Sequence, residues 1–225
     1  MIVANVAGIS KRWFAFSEHQ NLVGKTGLVA CAIFVLLVAV ACAMGTDIVR
    51  PASDELVLGT TPKSVAVERY GKPDSTGETE VNGHVVELIG YTFVDPSGRS
   101  HIPGVNAGRS LTLYFSKETL VGYLFTSSFE DDHTDFDASR IGDIQEGQST
   151  KLQVTGLIGH PNGEMIYPVA EEPGSTRYVY RYFHVDVKMG FLKAKGKVYQ
   201  KQLSVDFGPD DRVSNVDYAS EETKM

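Results

Sequence analysis

Val57-Leu-Gly59-Thr-Thr-Pro62-Lys-Ser-Val-Ala-Val-Glu-Arg-Tyr70-Gly71-Lys-Pro73-Asp74 organises the chain, because it returns as Ile144-Gln-Glu-Gly147-Gln-Ser-Thr150-Lys-Leu-Gln-Val-Thr-Gly-Leu-Ile158-Gly159-His-Pro161-Asn162. Both glycines and the proline keep their offsets: Gly59 to Pro73 is 14 residues, and so is Gly147 to Pro161. Each copy reads as a helix start and stop. Thr60 or Thr61 caps the first helix with Pro62 near its first turn, and Ser149 or Thr150 caps the second. Val65, Val67 and Tyr70 in one copy, and Leu152, Val154 and Ile158 in the other, supply apolar contacts before Gly71 and Gly159 end the helices.

The parallel continues downstream. After a polar loop from Ser75 to Glu80, Val81-Asn82-Gly83-His84 predicts a type I′ turn into a strand from Val85 to Phe93. The run from Asp95 to Gly108 reads as a long loop. Leu111, Leu113 and Phe115 then alternate with polar neighbours, and after a turn at 116–119 the strand Leu120 to Phe125 returns. In the second half Tyr178-Val-Tyr180 answers Tyr91-Thr-Phe93, Leu203-Ser-Val205-Asp-Phe207 answers Leu111-Thr-Leu113-Tyr-Phe115, and Val213 answers Val121. The expected fold class is therefore α+β: two tandem units, each with one or two short helices packed on a three- or four-stranded antiparallel sheet. The boundaries fall at 1–45 for a targeting segment, 46–55 for a tether, 56–132 for the first unit, 133–140 for a connector, 141–220 for the second unit and 221–225 for a tail.

The targeting segment is the uncharged run from Gly27 to Gly45, preceded by Lys25, Arg12 and Lys11. As a helix its 19 residues would span roughly 28 Å, about the thickness of a hydrocarbon core. Ala39-Val-Ala-Cys42 resembles a bacterial lipobox, so Cys42 is the candidate lipidation site. An uncleaved anchor, or plain cleavage at Ala41-Cys-Ala43, fits the same run. All three place the body outside the cytoplasm, since the positive flank stays inside. The only cysteines, Cys31 and Cys42, lie in this run, so the folded body has no disulfide and no thiol nucleophile. Without Lys11, Arg12, Lys25 and Glu18 the chain holds 18 basic and 27 acidic residues, net −9, a balance that argues against nucleic-acid binding.

Catalytic signatures are missing. There is no G-x-S-x-G elbow, no H-E-x-x-H and no histidine pair at helical ligand spacing. His84 reads as a turn residue and His101 as a loop residue. Glu130-Asp-Asp-His133-Thr-Asp135-Phe-Asp137 has oxygen ligands at alternate positions but lacks the central glycine and terminal glutamate of a calcium loop, so it reads as a solvated connector. No cofactor or metal is expected. The candidate interaction surface is the hairpin around Met189-Gly190, with Lys188, Lys193, Lys195, Lys197 and Lys201, and the tyrosine row Tyr178, Tyr180 and Tyr182 on one strand face. The lysines either protect exposed edges or dock an anionic partner. The tyrosines either pack half-buried or line a groove.

Gly-Thr-Thr-(x)4-Val-(x)4-Tyr-Gly-Lys-Pro-Asp, followed by an aromatic strand and Leu-Thr-Leu-Tyr-Phe, resembles the SmpA/OmlA (BamE-like) superfamily of small bacterial outer-membrane lipoproteins. That family includes a subunit of the β-barrel assembly machine, and the same helix-then-sheet unit occurs in tandem in a secreted β-lactamase inhibitor protein. The resemblance implies a non-catalytic lipoprotein on the periplasmic face of the outer membrane. It would act as a protein-protein interaction module in barrel assembly or envelope integrity. The inner membrane is the alternative location, and an exported ligand-binding or inhibitor module with an aromatic sheet face is the alternative function.

Overall fold

The computed structural model describes residues 44–52, 54–189 and 194–224, with side chains described except at 185–195 and 224. The targeting run, Cys42 included, lies outside them. Among the described residues no helix is long and apolar enough to cross a membrane.

Eight antiparallel strands follow one another in a single sheet, in the order β1 to β8: β1 Ser75–Val81, β2 His84–Asp95, β3 Ala107–Ser116, β4 Thr119–Ser127, β5 Gly163–Ile166, β6 Thr176–Met189, β7 Ala194–Phe207 and β8 Val213–Lys224. The sheet curls into a half-barrel. Helix α1 (Lys63–Tyr70), a 3-10 helix (Ala138–Asp143) and helix α2 (Lys151–Ile158) complete the fold. The expectation of two separate sheets is overturned. β5, a four-residue strand, pairs with β4 on one side and β6 on the other, so the halves share one hydrogen-bonded surface. Gly-Glu-Met-Ile is too short to show an alternating pattern, which is why it gave no strand signal.

Three further stretches differ from expectation. Ser75 to Val81 is an edge strand rather than a loop. Its first six residues are exposed, so no apolar alternation betrays it; backbone pairing and the Asn82-Gly83 turn, both at positive φ, hold it to β2. The stretch expected as a tether, 46–55, is docked: Ile48 is buried in the core and Asp47 pairs with Arg109, and on either side of it Met44 bridges Val94 and Leu56 is buried. The tail expected after 220 continues β8.

The internal repeat survives as hydrogen bonding. The amides of Gly59 and Gly147 donate to the carbonyls of Leu120 (2.8 Å) and Val213 (2.7 Å), and those of Leu120 and Val213 donate to Thr61 and Ser149 (2.9 Å each). The hydroxyls of Thr61 and Ser149 accept from the amides of Val57 and Gln145, each at 2.9 Å. Val213 therefore answers Leu120, not Val121, because the segment from Phe207 to its partner Val213 is one residue longer than that from Phe115 to its partner Leu120. Both halves also shift register at the matching place, between Tyr114 and Phe115 and between Asp206 and Phe207. Helix starts differ. Thr150 caps α2 in a capping box with Gln153, whereas α1 starts at Pro62 with no side-chain cap.

Both helices lie on one face. Under α1 sit Ile89, Tyr91, Phe93, Leu111, Leu113, Phe115 and Phe125; under α2 sit Tyr180, Leu203, Val205, Phe207 and Val213. Tyr123, Glu164 and Tyr178 stand directly opposite one another across β4, β5 and β6, which carries the same face from one half into the other. Val65 and Leu152, expected inward, are exposed, and Ala66 and Val154 take the core positions. A matched latch closes each helix end: the hydroxyl of Tyr91 donates to the Gly71 carbonyl and that of Tyr180 to the Gly159 carbonyl, both at 3.0 Å. Each bond satisfies an orphan carbonyl at the last helical turn. Tyr91→Phe and Tyr180→Phe are expected to cost about 1 kcal/mol each. Urea denaturation of the double variant should show the two losses adding; no loss in either single variant contradicts the latch.

Candidate functional site

The tyrosine row does not line a groove. Tyr180 and Tyr182 are 1% exposed, and Tyr178 is half-buried with its ring 4.9 Å from that of Phe207. Burial pushes the Tyr178 and Tyr182 phenols up to about 12. The face that carries them is the helix-covered one, as are Tyr91 and Phe93. Of the hairpin lysines, Lys201 points inward: its ammonium lies 2.6 Å from Asp135, donates to the Phe136 carbonyl and sits 4.5 Å from the centre of the Phe136 ring. Lys197 pairs with Glu222 at 2.6 Å. Lys193 lies outside the described residues, and the side chains of Lys188 and Lys195 outside the described side chains. His84 is held by its Nε2, 3.0 Å from the Tyr167 hydroxyl.

The acidic stretch 130–137 is an anchored strap, not a solvated one. Thr134 and Phe136 are buried. Asp47, Asp131 and Asp132 surround the Arg109 guanidinium at 2.7, 3.7 and 2.9 Å, and Arg109 lies 4.2 Å from the centre of the Phe129 ring. The strap also joins the long loop after β2, through the His101 amide to the Ser128 carbonyl (2.8 Å) and the Glu130 amide to the Arg99 carbonyl (3.0 Å). Here His101 and His133 stack with ring centres 3.8 Å apart and planes 16° apart. Asp135 bridges the pair to the sheet, 3.4 Å from His101 and 2.6 Å from Lys201. Among the described residues no three His, Cys, Asp or Glu are grouped to hold a metal ion. The arrangement welds loop and strap to the strand ends, and its carboxylates are engaged as counter-ions.

The opposite face of the sheet is the candidate interaction surface. On β3 the helix side is buried at Leu111, Leu113 and Phe115, while Ser110, Thr112 and Tyr114 on the other side stay half-exposed. Its middle is a small second core: Leu124, Met165 and Val179 are buried there, packed by Tyr114 and Val169, and Val86 and Leu88 on the same face are buried too; the open part lies on β6 to β8, where Phe183 is exposed. One end is covered by the loop after β5, which Asn82 clamps by donating to the carbonyls of Pro168, Ala170 and Glu171 at 3.1 Å each. Farther along, Arg177 grips the buried Asp206 with Nε and Nη2 at 2.5 and 2.9 Å, and Asn215 donates to the same carboxylate at 3.3 Å. Gln202 and Asp217 on this face are exposed. Sequence reading missed this surface because its exposed residues, such as Gln202 and Asp217, are ordinary strand polars; the signal was the alternation of β7, which buries Leu203, Val205 and Phe207 and leaves Gln202 exposed.

The stacked histidines make stability pH-dependent. Burial first, and the nearby His101 second, hold His133 below the usual imidazole value; Asp135 and Asp132 oppose this, and Arg50 reinforces it. A base with a lowered folded value is protonated sooner in the unfolded chain, so its contribution is complete above about pH 6.5 and is lost as pH falls toward the folded value. Glu164, raised by burial, acts with the opposite sign at lower pH. His133→Gln is expected to flatten the fall in unfolding free energy between about pH 7.5 and 5.5, as measured by urea titration; an unchanged slope contradicts the assignment.

Protein-family models, curated proteins and solved structures, each compared with this chain, yield no match.

Proposed function

We propose that the chain is a non-catalytic envelope protein that docks another protein on the sheet face opposite its helices. The observation that carries this reading is the asymmetry of the sheet. One face is sealed by α1, α2 and the strap; on the other the middle is packed, with Val86, Leu88, Leu124, Met165 and Val179 buried, but the part formed by β6 to β8 is open, with Phe183, Gln202 and Asp217 exposed and Arg181 half-buried. An exposed aromatic ring, Phe183, among polar strand residues on the part of the sheet left open suits a partner. The aromatic-groove alternative loses its basis, since Tyr91, Phe93, Tyr180 and Tyr182 are packed inside.

The envelope location rests on the apolar run and on the resemblance to the SmpA/OmlA lipoproteins, with acylation at Cys42 as the favoured anchor and a retained helix as the other. The described chain is already bonded to the sheet at Met44, two residues after Cys42, so an anchor there would hold the body close to the bilayer. Barrel assembly or envelope integrity is the process that the resemblance favours.

Photo-crosslinking separates the faces. A photoreactive residue replacing Gln202 or Asp217, both exposed on the uncovered face, is expected to capture a discrete envelope protein in bacterial cells making the full chain. The same residue replacing Leu152, 82% exposed on α2, is expected to capture none. Capture from position 152 alone contradicts the proposal, as does an absence of capture from both 202 and 217.

A further inference from the structure

β6 places two arginines four residues apart, Arg177 and Arg181, so both project on the uncovered face. Their surroundings differ at one cross-strand position. Opposite Arg177 stands Asp206, which takes the guanidinium side-on with two hydrogen bonds; opposite Arg181 stands Gln202. Among the described residues no carboxylate pairs with the Arg181 guanidinium and no side chain or carbonyl accepts from it. Its backbone amide donates to Asn162 Oδ1 at 2.8 Å.

The setting makes this vacancy costly. Arg181 is half-buried beside the patch of Leu124, Met165 and Val179, and burial lowers its proton affinity. The titrating side chain that faces it is the Tyr114 phenol, half-buried, raised by burial and therefore uncharged at neutral pH, and that hydroxyl has no hydrogen-bond partner among the described residues. A cation drawn out of water without a counter-ion weakens a fold, and an arginine fork matches a carboxylate better than any other side chain does. Asp217 stands farther along this face, opposite Ser204, and makes no ion pair with Arg181.

We propose that Arg181, assisted by the Tyr114 hydroxyl, is the seat for a carboxylate carried by the docking partner, an aspartate or glutamate side chain laid onto the uncovered face. This rests on the reading of that face as the docking surface and adds the chemistry that the partner must bring. A protein-borne carboxylate suits the site better than a free one. The depressions lined by Gln145, Gln153 and Arg212 and by Tyr167, Pro173 and Thr176 do not include Arg181, and a single ion pair on an open sheet, without added contact area, gives only weak affinity.

The test uses the full chain in detergent with fluorescein-labelled hexaglutamate as probe. Saturable binding is expected, weakened about tenfold by Arg181→Gln and several-fold by Tyr114→Phe, and unchanged by Lys197→Gln. Sodium acetate is expected to compete only at concentrations far above the peptide's. Arg181→Gln should melt at or above the temperature of the parent, whereas Arg177→Gln, which strands the buried Asp206, should melt well below it. The proposal is overturned by peptide binding that Arg181→Gln leaves intact, by an absence of saturable binding, by acetate competing as tightly as the peptide, or by Arg181→Gln destabilising as much as Arg177→Gln. Persistent crosslinking from position 202 in an Arg181→Gln background would sink the carboxylate seat and leave the docking face standing.

Discussion

Three residue pairs join the halves of the sheet: Gly122 with Met165, Tyr123 with Glu164 and Leu124 with Gly163. The glycines at this seam have a steric reason. A Cβ at Gly163 would lie 2.5 Å from the Tyr123 carbonyl oxygen, and one at Gly122 would lie 2.8 Å from Met165 Cγ. Both distances are closer than nonbonded atoms tolerate, so larger residues would force β4 and β5 apart. The seam then sets the rest. It aligns the helix-covered faces of both halves, joins their opposite faces around the buried Leu124, Met165 and Val179, and brings the loop after β2 within reach of the strap that follows β4.

The repeat explains why joining is feasible. Each half carries a helix bonded back to the first residues of its last strand and latched by a tyrosine hydroxyl. Neither helix is long: eight residues each, below what holds together in water without tertiary support. Their stability comes from the sheet, and the sheet's from its strand pairing across the seam. The strap supplies a second tie. Arg109 in β3 is held by Asp131 and Asp132, and Lys201 in β7 by Asp135, so one short segment is bonded to strands of both halves. These carboxylates looked like a ligand set or a solvated run in the sequence, and packing turns them into counter-ions.

Individual elements were legible, but their assembly into one sheet was not. The glycine-to-proline spacing located both helices; Asn82-Gly83 located one hairpin because its positive-φ positions favour those residues, and the 116–119 turn was located by the alternating runs on either side, since Lys117 and Glu118 carry no such signature. What stayed hidden has physical reasons. β1 buries almost nothing and so shows no period, and β5 has four residues of which one is glycine. Without β5 visible, two halves read as two units. The site was less legible still. Lys201 looks like its hairpin neighbours until Asp135 is placed beside it, and the contact between His101 and His133 joins residues 32 positions apart. Arg181 and Arg177 are indistinguishable along β6; only the register, which sets Gln202 against one and Asp206 against the other, separates the paired arginine from the unpaired one.

The functional reading depends on the sheet being one body, since a partner bridging both halves needs a single surface. Native-state hydrogen exchange in increasing urea tests this directly. The most protected amides of β2 and β3 and those of β6 and β7 should converge on the same opening free energy with the same urea slope, as parts of one cooperative unit. Two distinct free energies, each with the smaller slope of a half-sized unit, would contradict the account.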